Sequence, residues 1–422
     1  MFFFYKSLTF FLYPFLVILI YLRKIFNKEE SKRFKEKIFI PSNLLNSDKF
    51  LWFHGASIGE IKSVIPVIYY FLEKNSNIKI LITSVTVSSA NIVKNEFKNN
   101  NRVVHKYFPV DVPHLAKKFL NYWKPISVIF IDSEIWPNFI YEIKNKKIPL
   151  ILLNGRITYK TFKRWAIFKR FSNKIFSSFD ICIASSNESK KNLESLGVKK
   201  IKYFGNLKFV PLKKGVNDFG LSLKNNLDKR KVWLASNTHG IEENFCAQAH
   251  KKIKESFSNP LVIIIPRHIL RIKEICPEIL KMNLKVQIIN TGEKIEDSTD
   301  VALINSFGDL NKYYNYCKDV FVGKSLDKKN ILTGGQNPIE AAKFGCKIYH
   351  GPYVYNFKEV YDFLKSNEMA EEILSSDELA SKIINSFNKK LEINPDNIEK
   401  INIFGKNILD KTIDELNKII KL

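Results

Sequence analysis

Short apolar runs alternate with longer amphipathic stretches along most of the chain, starting near residue 48. In the first half, the apolar runs predicted to be strands are FLWFH, IKILITS, ISVIFID, IPLILLN and FDICIAS. Segments with helical spacing of apolar residues lie between them, namely ANIVKNEFKNN, HLAKKFLNYW and ESKKNLESLG. Strand–helix alternation with nearly continuous apolar strands predicts a parallel sheet covered by helices on both faces.

The same pattern returns after residues 210–230, a polar stretch with glycine and lysine that is predicted to be a linker. Predicted strands follow at KVWLAS, LVIIIP, KVQIIN, VALINS, DVFVG and CKIYHG, and predicted helices at EENFCAQAHKKIKES, LRIKEICPEILK, LNKYYNYC and NPIEAAKFG. The chain is therefore predicted to be an α/β protein with two Rossmann-like domains, 25–209 and 231–400, facing a central cleft. A C-terminal helix is predicted at 401–422.

Two doubly wound domains of similar size suggest, by fold analogy, a nucleotide-sugar glycosyltransferase of the GT-B type. Neither half has a G-x-G-x-x-G motif after its first strand, which argues against a dinucleotide oxidoreductase.

The N-terminus, residues 1–24, has the pattern of a membrane anchor. Residues 7–22 carry no charge, and with the FFFY that precedes Lys6 the stretch reaches the roughly 20 apolar residues that a bilayer span needs. No small-residue cleavage site follows, so the anchor is expected to be retained. The basic residues after it, beginning with Arg23 and Lys24, place the main body on the cytoplasmic side. A buried amphipathic helix is the alternative.

The 422-residue chain has a formal net charge of +25, which attracts anionic lipids, phosphorylated substrates or nucleic acids. It contains no RNP, zinc-finger or helix-turn-helix signature, so no nucleic-acid partner is predicted. The five cysteines are dispersed and form no C-x-x-C pair, which fits a reducing compartment. The seven histidines have no metal-ligand spacing, so neither a metal nor a cofactor is predicted.

The stretch LWFHGASIGE, residues 51–60, leads from an apolar strand to the carboxylate of Glu60 at the start of a predicted helix. Ser57 and Glu60 have the S-x-x-E spacing of a capping box, in which each side chain satisfies a free backbone amide. A carboxylate at a strand end is also placed to take a proton from a substrate. Spacing leaves both roles open.

Two other segments of the first half combine strand ends with reactive side chains. IDSEIWPN, residues 131–138, puts Asp132 and Glu134 beside Trp136, an arrangement that suits sugar binding but is also common in turns. GNLKF, residues 205–209, contains Lys208, which in such a lysine-rich chain is by default a solvated side chain.

In the second half, GGQNPIEAAKFG, residues 334–345, has the features of a helix start that can bind phosphate. Asn337 suits an N-cap, Pro338 suits the first helical position, and Glu340 completes a capping pattern or accepts from ribose hydroxyls. A well-formed helix start without a ligand is the alternative.

Two further turns of the second half follow predicted strands. Arg267 of PRH can pair with a phosphate or cover a sheet edge. Ser236 and Thr238 of SNTHGIEE offer hydroxyl donors or belong to an ordinary capped turn.

Nine motifs, in order and spacing, closely resemble those of the bacterial 3-deoxy-D-manno-octulosonic acid (Kdo) transferases, which add Kdo to lipid A precursor. The motifs are HGASIGE, SEIWPN, NGRIT, GNLKF, PRH, FGDL, GKSL, GGQNPIE and GPYVYNF. The resemblance extends from the N-terminus to about residue 365. It implies transfer of Kdo from CMP-Kdo to lipid A precursor, with inversion, at the cytoplasmic leaflet of the inner membrane during lipopolysaccharide biosynthesis.

The resemblance also implies roles for individual residues. Glu60 matches the general base, and Glu134 and Lys208 match positions that support the transition state. Donor binding is implied for three segments, namely Pro266, Arg267 and His268; Phe307, Gly308 and Asp309; and Asn337, Pro338, Ile339 and Glu340. Ser57, Gly59, Ser236 and Thr238 are candidate substrate contacts.

Six positions depart from the expected family pattern, although the chemistry is mostly conserved. They are Gln336 in place of histidine, Asp309 and Asp132 in place of glutamate, and Lys324, Asn237 and Val87 in place of glycine. The departures put in question the details of the donor and acceptor contacts. The alternatives are a GT-B transferase or epimerase that uses another sugar nucleotide, and a non-catalytic membrane-tethered binding protein.

Overall fold

The structure, a computed structural model, describes residues 1–41, 49–211, 227–306, 310–389 and 395–421. It divides into two compact units, Met1–Leu212 with Phe404–Leu422, and Lys213–Ile403. The predicted linker at 210–230 falls mostly on residues 212–226, which lie outside the described residues.

The first unit is built on a parallel sheet that has, in its described part, seven strands in the order β3-β2-β1-β4-β5-β6-β7. The strands are β1 (Lys49–His54), β2 (Ile78–Ser84), β3 (Val103–Tyr107), β4 (Pro125–Ile131), β5 (Leu150–Gly155), β6 (Ile181–Ala184) and β7 (Ile201–Tyr203). All five apolar runs predicted to be strands are confirmed. The sequence pattern did not predict β3, whose residues are mostly half-buried, or the three-residue β7.

Helices connect the strands of the first unit. They are α1 (Phe2–Ile25), α2 (Ile58–Lys74), α3 (Val87–Glu96), α4 (Pro113–Trp123), α5 (Pro137–Asn145), α6 (Tyr159–Ala166), α7 (Lys169–Phe176) and α8 (Asn187–Leu196). The strand order reverses between β1 and β4, and right-handed crossovers therefore put α2 and α3 on one face and α4, α5 and α7 on the other.

The second unit repeats this architecture with, among its described residues, a seven-stranded parallel sheet in the order β10-β11-β9-β8-β12-β13-β14. Its strands are β8 (Val232–Thr238), β9 (Leu261–Pro266), β10 (Val286–Ile289), β11 (Val301–Ile304), β12 (Asp319–Val322), β13 (Lys347–His350) and β14 (Ala370–Glu372). Its helices are α9 (Glu242–Ser256), α10 (Ile272–Leu280), α11 (Leu310–Tyr316), α12 (Ile339–Lys343), α13 (Lys358–Ser366) and α14 (Ser376–Lys389). The predicted α/β class with two doubly wound units is confirmed.

A last helix, α15 (Pro395–Asn417), corresponds to the C-terminal helix predicted at 401–422. From Phe404 onward it belongs to the first unit, where the Phe404 ring meets Phe209 edge-on at 4.9 Å. A Cβ on Gly405 would lie 2.4 Å from the Phe209 carbonyl oxygen, so only glycine permits this approach. The C-terminal helix therefore packs directly on the GNLKF segment.

In each sheet the first strand has its successors on one side and a later strand on the other, so that winding reverses between β1 and β4 in the first unit and between β8 and β12 in the second. The carboxyl ends of parallel strands at such a reversal leave a crevice in which α/β proteins bind ligands. The segments that follow β1, β4 and β12 contain Glu60, Glu134 and residues 337–340, whereas Arg267 follows β9.

Candidate active site

The carboxyl end of β1 leads into Glu60, in the first turn of α2. Ser57 caps this helix, and the capping box predicted from S-x-x-E spacing is present. The Glu60 carboxylate accepts a hydrogen bond from the Ala56 amide at 2.6 Å and from the Ser57 hydroxyl at 2.7 Å. Glu60 is therefore a helix cap in this structure.

The surroundings of Glu60 differ from those of an ordinary cap. Burial raises the pKa of the Glu60 carboxyl, and the charges of Asp132 and Glu134 raise it further, while the Ser57 and Ala56 hydrogen bonds partly offset the rise. A half-buried carboxylate with a raised pKa is a stronger proton acceptor than a solvated glutamate. The same side chain can therefore cap the helix and act as a base.

Glu134, which follows the neighbouring strand β4, is held by a chain of buried hydrogen bonds. The Trp52 indole N–H donates to Thr83 Oγ1 at 2.8 Å, and Thr83 Oγ1 lies 3.0 Å from His54 Nδ1. His54 Nε2 lies 3.0 Å from Glu134 Oε2, which also accepts from the Trp136 indole at 2.8 Å. An imidazole protonated at Nε2 can donate to Glu134 while its Nδ1 accepts from the Thr83 hydroxyl.

This chain of hydrogen bonds sets the direction in which the pKa of Glu134 is shifted. Burial alone would raise the pKa of Glu134, but the hydrogen bonds from His54 and Trp136 outweigh it and hold the pKa below its ordinary value. Two glutamates at neighbouring strand ends thus have pKa values shifted in opposite directions. The Glu60 carboxyl therefore takes up a proton at a higher pH than the Glu134 carboxyl does.

Asp132 and Lys208 lie at the same strand ends. Lys208 Nζ is 3.9 Å from Asp132 Oδ2, and Lys208 Cε lies 4.0 Å from a Cβ built on Gly59. Burial raises the pKa of Asp132, against the opposing charges of Lys208 and Arg156. Asp132 has φ of +60°, which the short aspartate side chain tolerates better than glutamate does.

The position of Lys208 depends on segments distant in sequence. The Asn154 side chain accepts from the Leu207 amide at 3.0 Å, and the Asn206 side chain accepts from the Lys208 amide at 3.0 Å. The close contact between Gly405 of α15 and Phe209 holds the other end of this turn. The predicted catalytic residues Glu60, Glu134 and Lys208 are therefore brought together, with Asp132 and Gly59 beside them.

In the second unit, the strand ends carry positive charge. Arg267 and His268 follow Pro266 at the end of β9 and are exposed, and the Arg267 amide donates to the Thr238 carbonyl at 3.1 Å. His239, after β8, stacks edge-on against His268 at 5.4 Å. Burial lowers the pKa of His239 to about 4, and the positive charges of His268, Lys324 and Arg267 act in the same direction.

A buried carboxylate organises the backbone beneath these cations. Glu242 accepts from the amides of Lys324, Ser325 and Leu326 at 2.6 to 3.0 Å, and from the His239 amide at 2.8 Å. A Cβ on Gly323 would lie 2.4 Å from the Asn237 carbonyl oxygen, so β8 and β12 end in close contact. Lys324 and Asn237, both departures from expected glycine, have φ of +60° and +53°.

The segment GGQNPIE lies beside the same cations. Gln336 Nε2 is 2.9 Å from His239 Nε2, and because His239 is neutral at pH 7 the Gln336 amide can donate to it. Asn337 Oδ1 accepts from the Ile339 amide at 3.2 Å, while Pro338 and Ile339 are buried. Glu340 is half-buried, and its charge adds to burial in raising the pKa of Tyr314.

The remaining predicted residues differ in burial and in hydrogen bonding, and one segment of them lies outside the described residues. The Ser236 hydroxyl is fully buried, accepts from Tyr314 and donates to the Phe321 carbonyl at 3.3 Å. Thr238 is also buried, and its hydroxyl has no hydrogen-bond partner within the described residues. The predicted donor segment of Phe307, Gly308 and Asp309 lies outside the described residues. Across the described ranges, no group of three or more His, Cys, Asp or Glu side chains can hold a metal ion.

Sequence reasoning missed several residues of both sites. His54 is the last residue of the predicted strand FLWFH and Thr83 lies within IKILITS, and their link to Glu134 becomes visible only once β1, β2 and β4 are paired. His239 and Glu242 lie in the quoted turn SNTHGIEE, but no spacing rule singled them out. The strand order of a doubly wound sheet, which puts the ends of β1 and β4 side by side, is the signal that could have found the first pair.

Comparisons with known proteins show which family the chain is related to. The sequence model of a family described as 3-deoxy-D-manno-octulosonic-acid transferase (kdotransferase) matches residues 32–210. The probable mitochondrial 3-deoxy-D-manno-octulosonic acid transferase of Arabidopsis thaliana is 31% identical over 365 residues, 84% of this chain and 80% of that protein. The 3-deoxy-D-manno-octulosonic acid transferase of Rickettsia bellii is 28% identical over 99% of this chain and 98% of its own length.

A solved glycosyltransferase structure from Rickettsia africae has the same fold, with a TM-score of 0.59 and 13% identity over 89% of this chain and 100% of that one. At this identity the likeness concerns the fold alone. The identity to the Arabidopsis protein over most of both chains, together with the family match to the first unit, establishes the relationship. The chain belongs to the 3-deoxy-D-manno-octulosonic acid (Kdo) transferase family and is a glycosyltransferase.

Proposed function

We propose that this protein transfers Kdo from CMP-Kdo to a glucosamine hydroxyl of lipid A precursor, with inversion at the anomeric carbon and with Glu60 as the general base. The observation that carries the proposal is the surroundings of Glu60. Its carboxylate is half-buried beside Asp132 and Glu134, and burial and these charges raise its pKa. A helix cap alone requires none of these neighbours.

Inversion by a single displacement requires a base and a stabilised leaving group. In the proposed step, the acceptor hydroxyl oxygen attacks the anomeric carbon while the bond from that carbon to the phosphate oxygen of CMP breaks. The hydroxyl proton passes to Glu60, and CMP leaves with the electron pair. Glu134 and Lys208 are proposed to support the developing charges, because both lie at the same strand ends as Glu60.

The donor is proposed to bind to the second unit. Arg267 and Lys324 offer positive charge at the carboxyl ends of β9 and β12, with His268 next to Arg267, and a phosphate can be held there. Pro266 precedes this group, and Asn337, Pro338, Ile339 and Glu340 lie next to Gln336, which contacts His239. The proposed contacts of Phe307, Gly308 and Asp309 with the donor rest on the family resemblance.

The acceptor and the N-terminal helix support a membrane location. Helix α1 is, by length and composition, long and apolar enough to cross a membrane, and it is mostly exposed. We place the protein at the cytoplasmic leaflet of the inner membrane, attached through this helix. Attachment confines the search for a lipid acceptor to a surface, and nearby basic residues are attracted to anionic lipids.

Incubation of the full chain with CMP-Kdo and tetra-acylated lipid A precursor tests the proposal. Mass spectrometry is expected to detect acceptor that has gained the mass of one or more Kdo units. A parallel incubation with a UDP-sugar donor distinguishes the alternative sugar-nucleotide chemistry and is expected to give no product. Product from the UDP-sugar, with none from CMP-Kdo, would replace the proposed donor.

A further inference from the structure

Helix α1 packs on the first unit along its whole length. At its start, the Phe2 ring stacks on Tyr141 of α5 at 4.3 Å. Near its end, Ile20 is buried against Phe34, and Lys24 lies 5.6 Å from the Phe34 ring. Its 24 residues correspond to a length of about 36 Å at 1.5 Å per residue. The body of the unit therefore lies beside the helix over a length greater than the thickness of a hydrocarbon core, which is roughly 30 Å.

Polar contacts fix one face of α1 to this body. The Tyr5 hydroxyl donates to the buried carboxylate of Asp111 at 2.8 Å. One turn later, Thr9 Oγ1 accepts from the Asn138 side chain at 3.0 Å. After another turn, the Tyr13 hydroxyl donates to the Ile38 carbonyl at 2.6 Å. The spacing of four residues places these three side chains on one helix face.

The other faces of α1 are apolar and exposed. Their large side chains are Phe3, Phe4, Leu8, Phe10, Phe11, Leu12, Phe15, Ile18, Leu19, Tyr21, Leu22 and Ile25. A helix that crossed the bilayer while keeping its packed face would bring Asp111 and the buried pair Glu29 and Lys37 to the level of the hydrocarbon. Charged groups at that depth are strongly unfavourable. A helix that lies in the plane of the membrane leaves them in protein and water.

The elbow between α6 and α7 adds a second apolar and basic feature next to α1. Ile167 and Phe168 at the elbow are 72% and 47% exposed. The elbow is joined to α1 through Phe171, whose ring lies 6.4 Å from Phe2 and 5.8 Å from Tyr5. Residues 157–179 contain six basic side chains and no acidic one, and the basic residues that flank the elbow are exposed, namely Lys163, Arg164, Lys169 and Arg170.

We propose that the exposed faces of α1 and the α6–α7 elbow together form one docking surface for an anionic phospholipid bilayer. Helix α1 lies in the plane of the interface rather than spanning the membrane, Ile167 and Phe168 insert beside it, and the four flanking cations contact lipid phosphates. Charge complementarity commits this surface to an anionic bilayer, because residues 157–179 carry six basic side chains and no acidic one, and two such elbows would repel each other.

The docking surface also bears on the candidate active site. Asn138, whose side chain donates to Thr9 of α1, lies only four residues after Glu134 in the sequence. Helix α6 follows β5, whose carboxyl end leads to Arg156, and the Arg156 amide donates to the Asp132 carbonyl at 3.0 Å. A bilayer bound to α1 and the elbow would therefore lie near the end of the first sheet that carries Glu60 and Glu134. This inference rests on the membrane attachment proposed above.

Depth measurements on the full chain test the orientation of α1. Single cysteines that replace Phe4, Phe11, Ile18 and Ile25 in a Cys276→Ser background are labelled with an environment-sensitive fluorophore and mixed with phosphatidylglycerol vesicles. Spin-labelled lipids that quench at shallow or deep acyl positions then report the depth of each label. An in-plane helix predicts the same shallow depth at all four positions. A spanning helix predicts deep labels in the middle and shallow labels at the ends.

The elbow is tested with the same probe. A label at Ile167→Cys is expected to shift to the blue on addition of the vesicles, whereas a label at Lys94→Cys, exposed on α3 across the sheet, is expected to remain unchanged. A shift that grows with protein concentration in the absence of vesicles would instead indicate self-association and overturn the bilayer assignment.

The charge contribution is measured with glutamine variants. Each replacement among Lys163, Arg164, Lys169 and Arg170 is expected to weaken partitioning into phosphatidylglycerol vesicles by about fivefold and to change partitioning into phosphatidylcholine vesicles by less than twofold. Lys94→Gln is the matched control. Circular dichroism verifies that each variant is folded.

The outcomes separate this inference from the attachment on which it rests. Failure of the full chain to bind either kind of vesicle would defeat membrane attachment itself. Binding with graded label depths along α1, or with an unchanged Ile167 label, would defeat the docking surface and leave attachment intact.

Discussion

The two units share one architecture but carry opposite charges at the carboxyl ends of their central strands. In the first unit, Glu60, Asp132 and Glu134 gather where β1 and β4 end. In the second, Arg267 and Lys324 gather where β9 and β12 end, around a histidine whose pKa is lowered to about 4. The carboxyl edge of the sheet thus carries a cluster of carboxylates in the first unit and a cluster of cations in the second.

The comparison shows that a buried carboxylate has a different effect in each unit. Burial beside carboxylates raises the pKa of Glu60 and favours proton uptake, whereas hydrogen bonds hold the pKa of Glu134 down. In the second unit, the buried Glu242 accepts backbone amides and so fixes the loop that carries Lys324. A carboxylate therefore acts on the substrate in the proposed first site and on the backbone in the second.

Glu60→Gln is expected to have the largest effect, because glutamine can still accept from the Ala56 amide but cannot take a proton. We expect the rate of Kdo transfer to fall by about 10² to 10⁴, measured in single turnover by mass spectrometry. Glu73→Gln, at the exposed end of α2, is the matched control and should leave the rate unchanged. A folded Glu60→Gln protein with normal turnover would return Glu60 to the role of a helix cap.

Arg267→Gln tests the cationic unit. Removal of a charge-assisted hydrogen bond to phosphate, worth about 1.5 to 3 kcal/mol, should raise the KM for the donor by about 10- to 100-fold. The rate at saturating donor should change little. Lys273→Gln, an exposed lysine of α10, serves as the control. An unchanged KM would remove Arg267 from the donor site.

Lys324→Gly separates charge from backbone strain. Loss of the charge should weaken donor binding by about fivefold, as expected for about 1 kcal/mol. The free energy of unfolding should change by less than about 1 kcal/mol, because relief of the left-handed backbone is offset by the freedom of glycine in the unfolded chain. Lys324→Asn should give the same affinity, as measured by calorimetry. Unchanged donor affinity in both variants would show that the Lys324 charge has no role.

Ser57→Ala should have the smallest effect on turnover near neutral pH. It removes a hydrogen bond that lowers the pKa of Glu60, so the pKa should rise further. Because the ionised carboxylate is the active form, the acid limb of the kcat/KM profile should move to higher pH. Loss of the cap should lower the free energy of unfolding by about 0.5 to 2 kcal/mol. An acid limb that stays in place would argue that another group titrates.

Much of the fold could be predicted from the sequence because buried parallel strands have a strong apolar signature. The runs FLWFH and ISVIFID are strands as predicted, since both are buried in the sheet. Strand β3, VVHKY, gave no such signal because it lies at the sheet edge and is only partly buried. Edge strands and short strands lack the burial that produces an apolar run.

The sites could be predicted only in part. Local spacing identified the capping box of Ser57 and Glu60, but the raised pKa of Glu60 depends on burial in the folded unit and on Asp132 and Glu134, which are more than 70 residues away in sequence. The lysine-rich composition predicted that Lys208 would be a solvated side chain. Its position depends instead on the contact of α15 with the GNLKF turn. Such properties belong to the packed structure. Strand-end position pointed to Glu60, Asp132 and Glu134 in advance, but only the family resemblance assigned roles to Glu60, Glu134 and Lys208.

The central claim is that Glu60 acts on the acceptor and leaves donor binding to the second unit. Titration of CMP into the Glu60→Gln protein by isothermal calorimetry tests it most directly. The account predicts a Kd within about twofold of that of the unmodified protein, although transfer is reduced by at least about 10². A loss of CMP affinity as large as the loss of transfer would contradict the separation of roles.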